Sequence, residues 1–325
     1  MARTAVVAVG GNALIRDRGH QTVPDQYRAA ADTSRHIAGI ARAGWNVVVT
    51  HGNGPQVGFI LRRSELSAHE LHEVPLDACV ADTQGAIGYA LQQNLQHDLT
   101  TLGIDRRVVT VLTQVEVDAD DPAFARPTKP IGSHLTEAQA RRREAEGWTV
   151  VEEAGRGWRR VVPSPLPQRI VEEDVIRHLV DAGFVVIGVG GGGIPVVSDP
   201  DGRLHGVSAV IDKDYAASLL ARRIEADLLL ISTSVDRVAL GYGTPEQRWL
   251  DRLTVSEARG HLEGGSQFPE GSMGPKVQAA IWFVEASGHP AVIAGLDSME
   301  RALAGEAGTW IVPDGGGSVE RNLED

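Results

Sequence analysis

Short apolar runs alternate along most of the chain with stretches in which apolar residues recur at helical spacing. The runs predict buried strands at 4–9, 46–50, 184–189, 227–232 and 291–294, and an extended stretch at 107–117. The amphipathic stretches predict helices at 27–43, 76–102, 172–182, 215–223 and 275–286. Such alternation is typical of an α/β fold in which helices cover both faces of a mostly parallel sheet.

The alternation is interrupted between residues 121 and 167, where prolines concentrate. This region predicts a short charged helix at 137–146 and a hairpin formed by the stretches 148–152 and 158–162. Its tryptophans and alternating apolar positions favour a folded subdomain over a linker. We therefore expect a single domain over 1–325 with a protruding lid at 121–167, which makes few core contacts and is mobile.

Composition excludes several classes of protein. Hydrophobic residues make up 42% of the chain and charged residues 23%, which is ordinary for a folded protein and unlike a disordered or fibrous one. The net charge of −12 disfavours nucleic acid as a partner, because phosphate backbones require a concentrated basic surface. No apolar run approaches the roughly 20 residues that span a bilayer, and no signal-peptide pattern opens the chain. We expect a cytoplasmic protein with no membrane partner.

Lysine is rare in this sequence, since 28 of the 31 basic residues are arginine. The three lysines are Lys129, Lys213 and Lys276, and each lies in a loop-like sequence beside Gly, Pro or Asp. An arginine fork cannot imitate a compact ammonium, so these positions indicate a need for point charges. Chance retention at the surface is the alternative.

Three glycine-rich turns follow predicted strands, at 10–12, 51–58 and 190–193. Glycine lets backbone amides approach an anion closely, and the carboxyl ends of parallel strands are where α/β sheets bind phosphates. One such turn is usually structural. Three at the same topological position predict a single polyanion site.

Other familiar chemistries find no support in the motifs. Residues 188–193 fit the G-x-G-x-x-G pattern, and Asp212 follows at a suitable distance, but Pro195 and Pro200 predict extended chain where a dinucleotide site needs a helix. The chain has no P-loop, no G-x-S-x-G elbow and no zinc-like His spacing, and Cys79 is its single cysteine. Glycine amides, ammonium groups and the clustered Asp212 and Asp214 are what phosphoryl transfer requires.

Eight ordered motifs resemble carbamate kinase, within the amino acid kinase superfamily. They include Thr50-His-Gly-Asn-Gly-Pro-Gln-Val-Gly58 and Val210-Ile-Asp-Lys-Asp214. The others lie at 9–14, 83–89, 127–132, 155–165, 190–195 and 271–276. The resemblance implies a three-layer αβα fold, a homodimer, and reversible transfer between ATP and carbamate that gives ADP and carbamoyl phosphate. It also implies that Mg²⁺ is carried on the nucleotide, that no metal is bound by the protein, and that net flow is often toward ATP.

The resemblance also implies roles for individual residues. Lys129, Lys213 and Lys276 would neutralise phosphate charge, Lys129 from the inserted subdomain, with Asp212 holding lysine ammonium groups in place. The resemblance implies that the transferring phosphoryl group is bound by Gly10, Gly11 and Asn12, and the carbamoyl end by Gly52, Asn53 and Gly54. It implies nucleotide binding by Gly191, Gly192, Thr233, Val235, Asp236, Tyr242 and Met273.

Two departures from the family pattern concern the subdomain and one helix. Ser133-His134-Leu135 stands where Pro-Phe-Tyr is usual, and Thr83 where serine is common. Two other functions stay open: a catalytically silent sensor of carbamoyl phosphate or nucleotide, and a related kinase acting on an amino acid carboxylate. Retention of all three lysines disfavours the sensor, and the long motif at 50–58 favours carbamate.

Overall fold

The computed structural model describes residues 2–15, 19–153, 155, 157–264, 268 and 273–315. Its strands are β1 Thr4–Val9, β2 Asn46–His51, β3 Val108–Thr110, β4 Gln114–Val117, β5 Lys129–Leu135, β6 Val150–Glu153, β7 Gly157–Val162, β8 Pro167–Ile170, β9 Val185–Ile187, β10 Ile194–Ser198, β11 Leu204–Gly206, β12 Leu228–Thr233, β13 Val238–Leu240, β14 Arg248–Leu250, β15 Arg252–Thr254, β16 Ala291–Gly295 and β17 Thr309–Val312. Its α-helices are α1 Val23–Arg42, α2 Gly54–Ser67, α3 Leu76–Thr101, α4 Glu137–Ala145, α5 Glu173–Asp181, α6 Lys213–Arg223, α7 Val255–Glu263, α8 Met273–Ser287 and α9 Met299–Leu303.

The central sheet has eight strands in the order β15-β17-β16-β12-β1-β2-β9-β3. All neighbouring pairs are parallel except β16 and β17. Alternate side chains of β1 enter different cores. Val6 belongs to a buried cluster that includes residues of α5, α6, α7 and α8, and Val7 belongs to one that includes residues of α1, α3 and α9. The three-layer α/β fold predicted from the sequence is therefore confirmed.

The insertion at 121–167 forms a separate three-stranded sheet, β5-β7-β6, beside α4. The predicted hairpin is confirmed, because β6 and β7 pair antiparallel with Val150 opposite Arg160. The expectation of few core contacts is wrong at the base of the insertion. Ile131 and Val162 are buried in a cluster with Val57 of α2, because β5 lies directly on that helix.

The contact between α2 and β5 depends on two glycines. A Cβ at Gly58 would overlap the backbone of Gly132, which itself has a positive φ of 70°. Only glycine at 58 permits this approach. The insertion is thus seated on α2.

Two local predictions differ from the structure. The extended stretch 107–117 divides at 111–113, so that β3 joins the central sheet and β4 joins a second sheet, β11-β10-β4-β8. The motif at 51–58 is a turn only as far as Asn53, because Gly54 and Pro55 begin α2. Proline is well tolerated at the first turn of a helix, where its missing N–H has no intrahelical partner. Within the described ranges, no helix has the length and apolar character needed to cross a membrane.

Candidate active site

The three predicted glycine turns follow β1, β2 and β9, which are neighbours in the central sheet. They therefore meet at one edge, where a cavity of about 530 Å³ opens. The N-terminal ends of α2, α6 and α8 also face this cavity through Gly54, Lys213 and Lys276. Helix N-termini carry partial positive charge and unpaired N–H groups, so three of them around glycine turns favour an anionic ligand.

Most of the predicted site residues line this cavity. They are Gly10, Gly11, Gly52, Asn53, Gly54, Lys129, Gly191, Asp212, Lys213, Thr233 and Lys276.

The three lysines converge on two carboxylates. Lys213 Nζ lies 2.6 Å from Asp214 Oδ1, and Lys276 Nζ lies 2.9 Å from Asp214 Oδ2. Lys129, at the start of β5, reaches Asp212 Oδ2 at 2.5 Å. Asp212 caps α6, where its Oδ1 accepts a hydrogen bond from the Asp214 backbone N–H. Lys129 and Lys213 are the first residues of β5 and α6, and Lys276 lies in the first turn of α8. Because a strand or helix begins at or just before each lysine, the neighbouring Gly, Pro and Asp residues resemble those of a loop.

The lysine-holding role expected of Asp212 applies to Lys129 and does not extend to the other two lysines. Asp212 pairs with Lys129, whereas Asp214 holds both Lys213 and Lys276. Sequence reasoning singled out Asp214 only as a clustered aspartate. The sequential pattern Asp212-Lys213-Asp214 was the available signal, because a helix start brings residues one and two positions apart to the same end.

Charge in the lysine cluster is set by burial and pairing. Burial alone would raise the pKa of Asp214, but Lys213 and Lys276 outweigh it and hold that pKa far below its usual range. Burial lowers the pKa of Lys213 despite Asp214, and the neighbouring Lys276 lowers it further. For Lys276, burial is outweighed by Asp214 and its pKa is raised. Three cations around two carboxylates leave one net positive charge at the cavity.

Several predicted nucleotide-binding residues lie outside the cavity lining. Asp236 accepts a hydrogen bond from Ser298 Oγ at 2.9 Å, and the exposed Tyr242 stacks edge-on against Trp249. Met273 packs against the core at the start of α8. Val235 and Gly192, the latter within the third turn, also lie outside the lining. The side chain of Asn12 and residues 271–272 of the last motif lie outside the described part of the chain.

Ser232 opens the segment 232–236, which resembles the nucleotide side of the family, but the sequence indicated no separate role for it. It is the penultimate residue of β12, beside β1, and it lines the cavity. Its Oγ accepts a hydrogen bond from Gly10 N at 3.0 Å. The first glycine turn is therefore fixed by a neighbouring strand.

The segment 133–135, which departs from the family pattern, lies inside the insertion. There His134 Nε2 lies 2.8 Å from Glu153 Oε2, and neither residue belongs to the cavity lining.

A family model described as the amino acid kinase family matches residues 3–295. The chain belongs to the amino acid kinase family. The carbamate kinase-like protein YahI of Escherichia coli is 46% identical over 317 residues, covering 96% of this chain and 99% of YahI. Carbamate kinase of Pyrococcus horikoshii is 46% identical over 317 residues, covering 96% of this chain and 100% of that protein.

A solved structure of Giardia lamblia carbamate kinase bound to AMP-PNP superimposes with a TM-score of 0.89 at 41% identity. The match covers 96% of this chain and 99% of the Giardia chain. The resemblance predicted from the motifs is thereby confirmed, and this member of the amino acid kinase family is a phosphotransferase.

His51 is buried at the end of β2 and makes no direct contact with the cavity. Burial lowers its pKa from 6.5 to about 4, so the ring is neutral near pH 7. A folded pKa below the unfolded value means that the unfolded chain binds the proton first. The free energy of unfolding should therefore fall by up to about 3 kcal/mol as pH decreases from about 6.5 to about 4.

Urea unfolding across this pH range measures this loss of stability. Comparison of ring-proton NMR titrations of the parent and His51→Gln identifies the signal of His51. A His51 ring that titrates near 6.5 in the folded protein would refute the prediction.

Proposed function

We propose that this protein is a carbamate kinase, which reversibly transfers a phosphoryl group between ATP and carbamate. The observation that carries the proposal is the convergence of Lys129, Lys213 and Lys276 with three glycine turns on one cavity. These groups supply amides and ammonium charges to phosphate oxygens. The near full-length similarity to carbamate kinases supports carbamate as the acceptor.

The chemistry that we propose needs no protein base. In the direction of ATP formation, an ADP β-phosphate oxygen attacks the phosphorus of carbamoyl phosphate, and the bond from phosphorus to the carbamoyl oxygen breaks. Both ADP and the departing carbamate are anions, so no proton has to move. Catalysis then consists of positioning and charge stabilisation. The described cavity lining accords with this, since it contains no histidine and its two carboxylates, Asp212 and Asp214, are both paired with lysines.

We assign the two ends of the cavity by the family resemblance. Gly10 and Gly11 would hold the transferring phosphoryl group, and Gly52, Asn53 and Gly54 the carbamoyl end. The lysines would stabilise the charge that spreads over the phosphoryl oxygens. The resemblance implies a nucleotide-binding role for both Gly191 and Thr233. Thr233 is the last residue of β12, and we extend the nucleotide side from there toward Tyr242, whereas Gly191 packs on the Asn53 carboxamide and therefore belongs with the carbamoyl end. A homodimer stays a prediction.

Magnesium would accompany the nucleotide in this proposal. All four oxygens of Asp212 and Asp214 accept hydrogen bonds from lysine or backbone donors. Across the described residues, no group of three His, Cys, Asp or Glu side chains could hold a metal ion. The site residues therefore do not fit a protein-held magnesium, and the nucleotide phosphates are its natural ligands.

The acceptor should be carbamate rather than an amino acid. The carbamoyl end offers amides and one carboxamide, which suit a small planar group, whereas a second carboxylate would need its own cation. We expect ATP formation from MgADP and carbamoyl phosphate, and little phosphorylation of glutamate, aspartate or acetylglutamate by MgATP. Comparable efficiency on an amino acid would overturn the proposal.

The insertion should close over bound ligands, because Lys129 joins it to Asp212 of the main domain. Amide hydrogen exchange at 121–167 should slow when ADP and a carbamoyl phosphate analogue are added together. In Lys129→Ala the slowing should be lost, while exchange around β12 still responds to nucleotide. Unchanged exchange in the insertion of the parent protein, with protection elsewhere, would contradict closure.

A further inference from the structure

We propose that Thr83 and Gln84, adjacent residues in the first half of α3, are positioning residues for the carbamoyl end of the cavity. Neither lines the cavity. Both are buried, and each acts on Asn53 from a different direction: Thr83 by a hydrogen bond and Gln84 through the third glycine turn. This inference rests on the proposed function, because the group that Asn53 would meet is the carbamoyl end of that substrate.

Thr83 fixes which way the Asn53 carboxamide faces. Its hydroxyl donates its one proton to the carbonyl oxygen of Val80 at 2.6 Å. Toward Asn53 the hydroxyl can therefore only accept, and Asn53 Nδ2 donates to it at 2.9 Å. Among the described residues, no other hydrogen bond engages the Asn53 side chain, so its carboxamide oxygen and second N–H remain for a ligand, in positions that are set before the ligand arrives.

Gln84 holds the turn that packs against Asn53. Its Nε2 donates to the carbonyl oxygens of Thr113 and Gly190, both at 2.9 Å, and its Oε1 accepts from Thr113 N at 2.7 Å. A Cβ at Gly191 would overlap the Asn53 carboxamide, so the turn lies directly on that group. Gln84 thus fixes the surface on which Asn53 rests.

The turn that Gln84 holds is a strained one. Val189, the residue that leads into it, has φ 53° and ψ 33°, the left-handed region that β-branched residues rarely adopt. Its backbone N–H donates to Thr113 Oγ1 at 3.0 Å. Such strain persists only where surrounding contacts determine the conformation, and it concentrates at functional sites. Thr113 and Gln84 supply those contacts.

The test for Thr83 compares Thr83→Val with Thr83→Ser. Valine keeps the shape and removes the acceptor, whereas serine keeps the acceptor. We expect kcat/KM for carbamoyl phosphate to fall about tenfold in Thr83→Val, as for loss of one hydrogen bond in a dry site, with KM for ADP within about twofold of the parent. Thr83→Ser should retain parental values for both substrates.

The test for Gln84 uses Gln96 on the same helix as its matched control. Gln96 also bridges backbone groups with its carboxamide, donating to Arg106 O at 3.2 Å and accepting from Val108 N at 3.0 Å, but next to β3. Gln84→Met and Gln96→Met should both lower the unfolding temperature. Only Gln84→Met should weaken use of carbamoyl phosphate, by about tenfold or more.

The outcomes separate this inference from the function on which it rests. A parent protein that forms no ATP from carbamoyl phosphate refutes the proposed function. An active parent with Thr83→Val unchanged, or with both substrates affected equally, refutes the positioning role. If Gln84→Met does not fold, the comparison of valine with serine at position 83 decides alone.

Discussion

Replacing Lys213 or Lys276 by alanine should lower kcat by on the order of 10² to 10³, as removal of one transition-state donor does. Both ammonium groups are mostly buried and share the Asp214 carboxylate. Alanine would remove a positive charge that faces the phosphoryl oxygens in the proposed complex. Because the lysine side chains are mostly buried, water screens that charge only weakly. The decrease in kcat for Lys129→Ala should be of the same order. Initial rates of ATP formation from MgADP and carbamoyl phosphate measure the effect.

Arginine should rescue these variants unequally. Lys213 and Lys276 are mostly buried and share one carboxylate through compact ammonium groups, a geometry that a broad planar guanidinium does not reproduce, whereas Lys129 is about one-third exposed. We expect the kcat of Lys213→Arg and of Lys276→Arg to remain close to that of the corresponding alanine variants. Of the three arginine variants, Lys129→Arg should recover the largest share of the parental kcat. The exposed pair of Arg169 and Glu116 supplies the control, since Arg169→Ala should leave the rate unchanged. Near-parental turnover in all three arginine variants would show that point charges are not required.

Asp214→Asn should reduce activity at least a hundredfold and change its pH dependence. The substitution leaves two buried ammonium groups without the carboxylate that both of them contact, and breaking a buried pair costs about 3 to 5 kcal/mol. Burial already lowers the pKa of Lys213, and Asp214 opposes that shift. Without Asp214 the lysine should lose its proton at lower pH, so the alkaline decline of kcat/KM should move to lower pH.

The pH profile of kcat/KM in the parent and Asp214→Asn tests this directly. The parent's alkaline decline should lie below the ordinary lysine value of 10.5, and the variant's lower still. Glu116→Gln, at an ion pair outside the cavity, should reproduce the parental profile. An unshifted decline in Asp214→Asn would mean that Asp214 does not hold the lysines in their charged form.

The sequence predicted the sheet well because each core strand is a short, uninterrupted apolar run. The prediction for β1 coincides with the structure, and the 76–102 helix differs by one residue. It missed α2, because glycine and proline at its start read as a turn although both are compatible with a first helical turn. Local pattern cannot show that Gly58 and Gly132 meet, so the seated base of the insertion was also missed.

The same limit applies to the site. The three lysines were identified because lysine is rare in this chain, and the glycine turns because three of them follow predicted strands. Both signals can be seen in the amino-acid sequence alone. Which carboxylate holds which lysine depends on how α6 and α8 approach each other, and that is set by packing. The roles of Ser232, Thr83 and Gln84 likewise arise from contacts between distant segments.

Measuring the formation of ATP from carbamoyl phosphate and MgADP tests the proposed carbamate kinase activity most directly. A luciferase assay of the purified protein, corrected for spontaneous decay of carbamoyl phosphate, should show one ATP formed for each carbamoyl phosphate consumed. The signal should fall on the order of 10² or more in Lys276→Ala. A parent protein that binds nucleotide tightly yet forms no ATP would contradict the phosphoryl transfer proposed here and indicate a silent sensor.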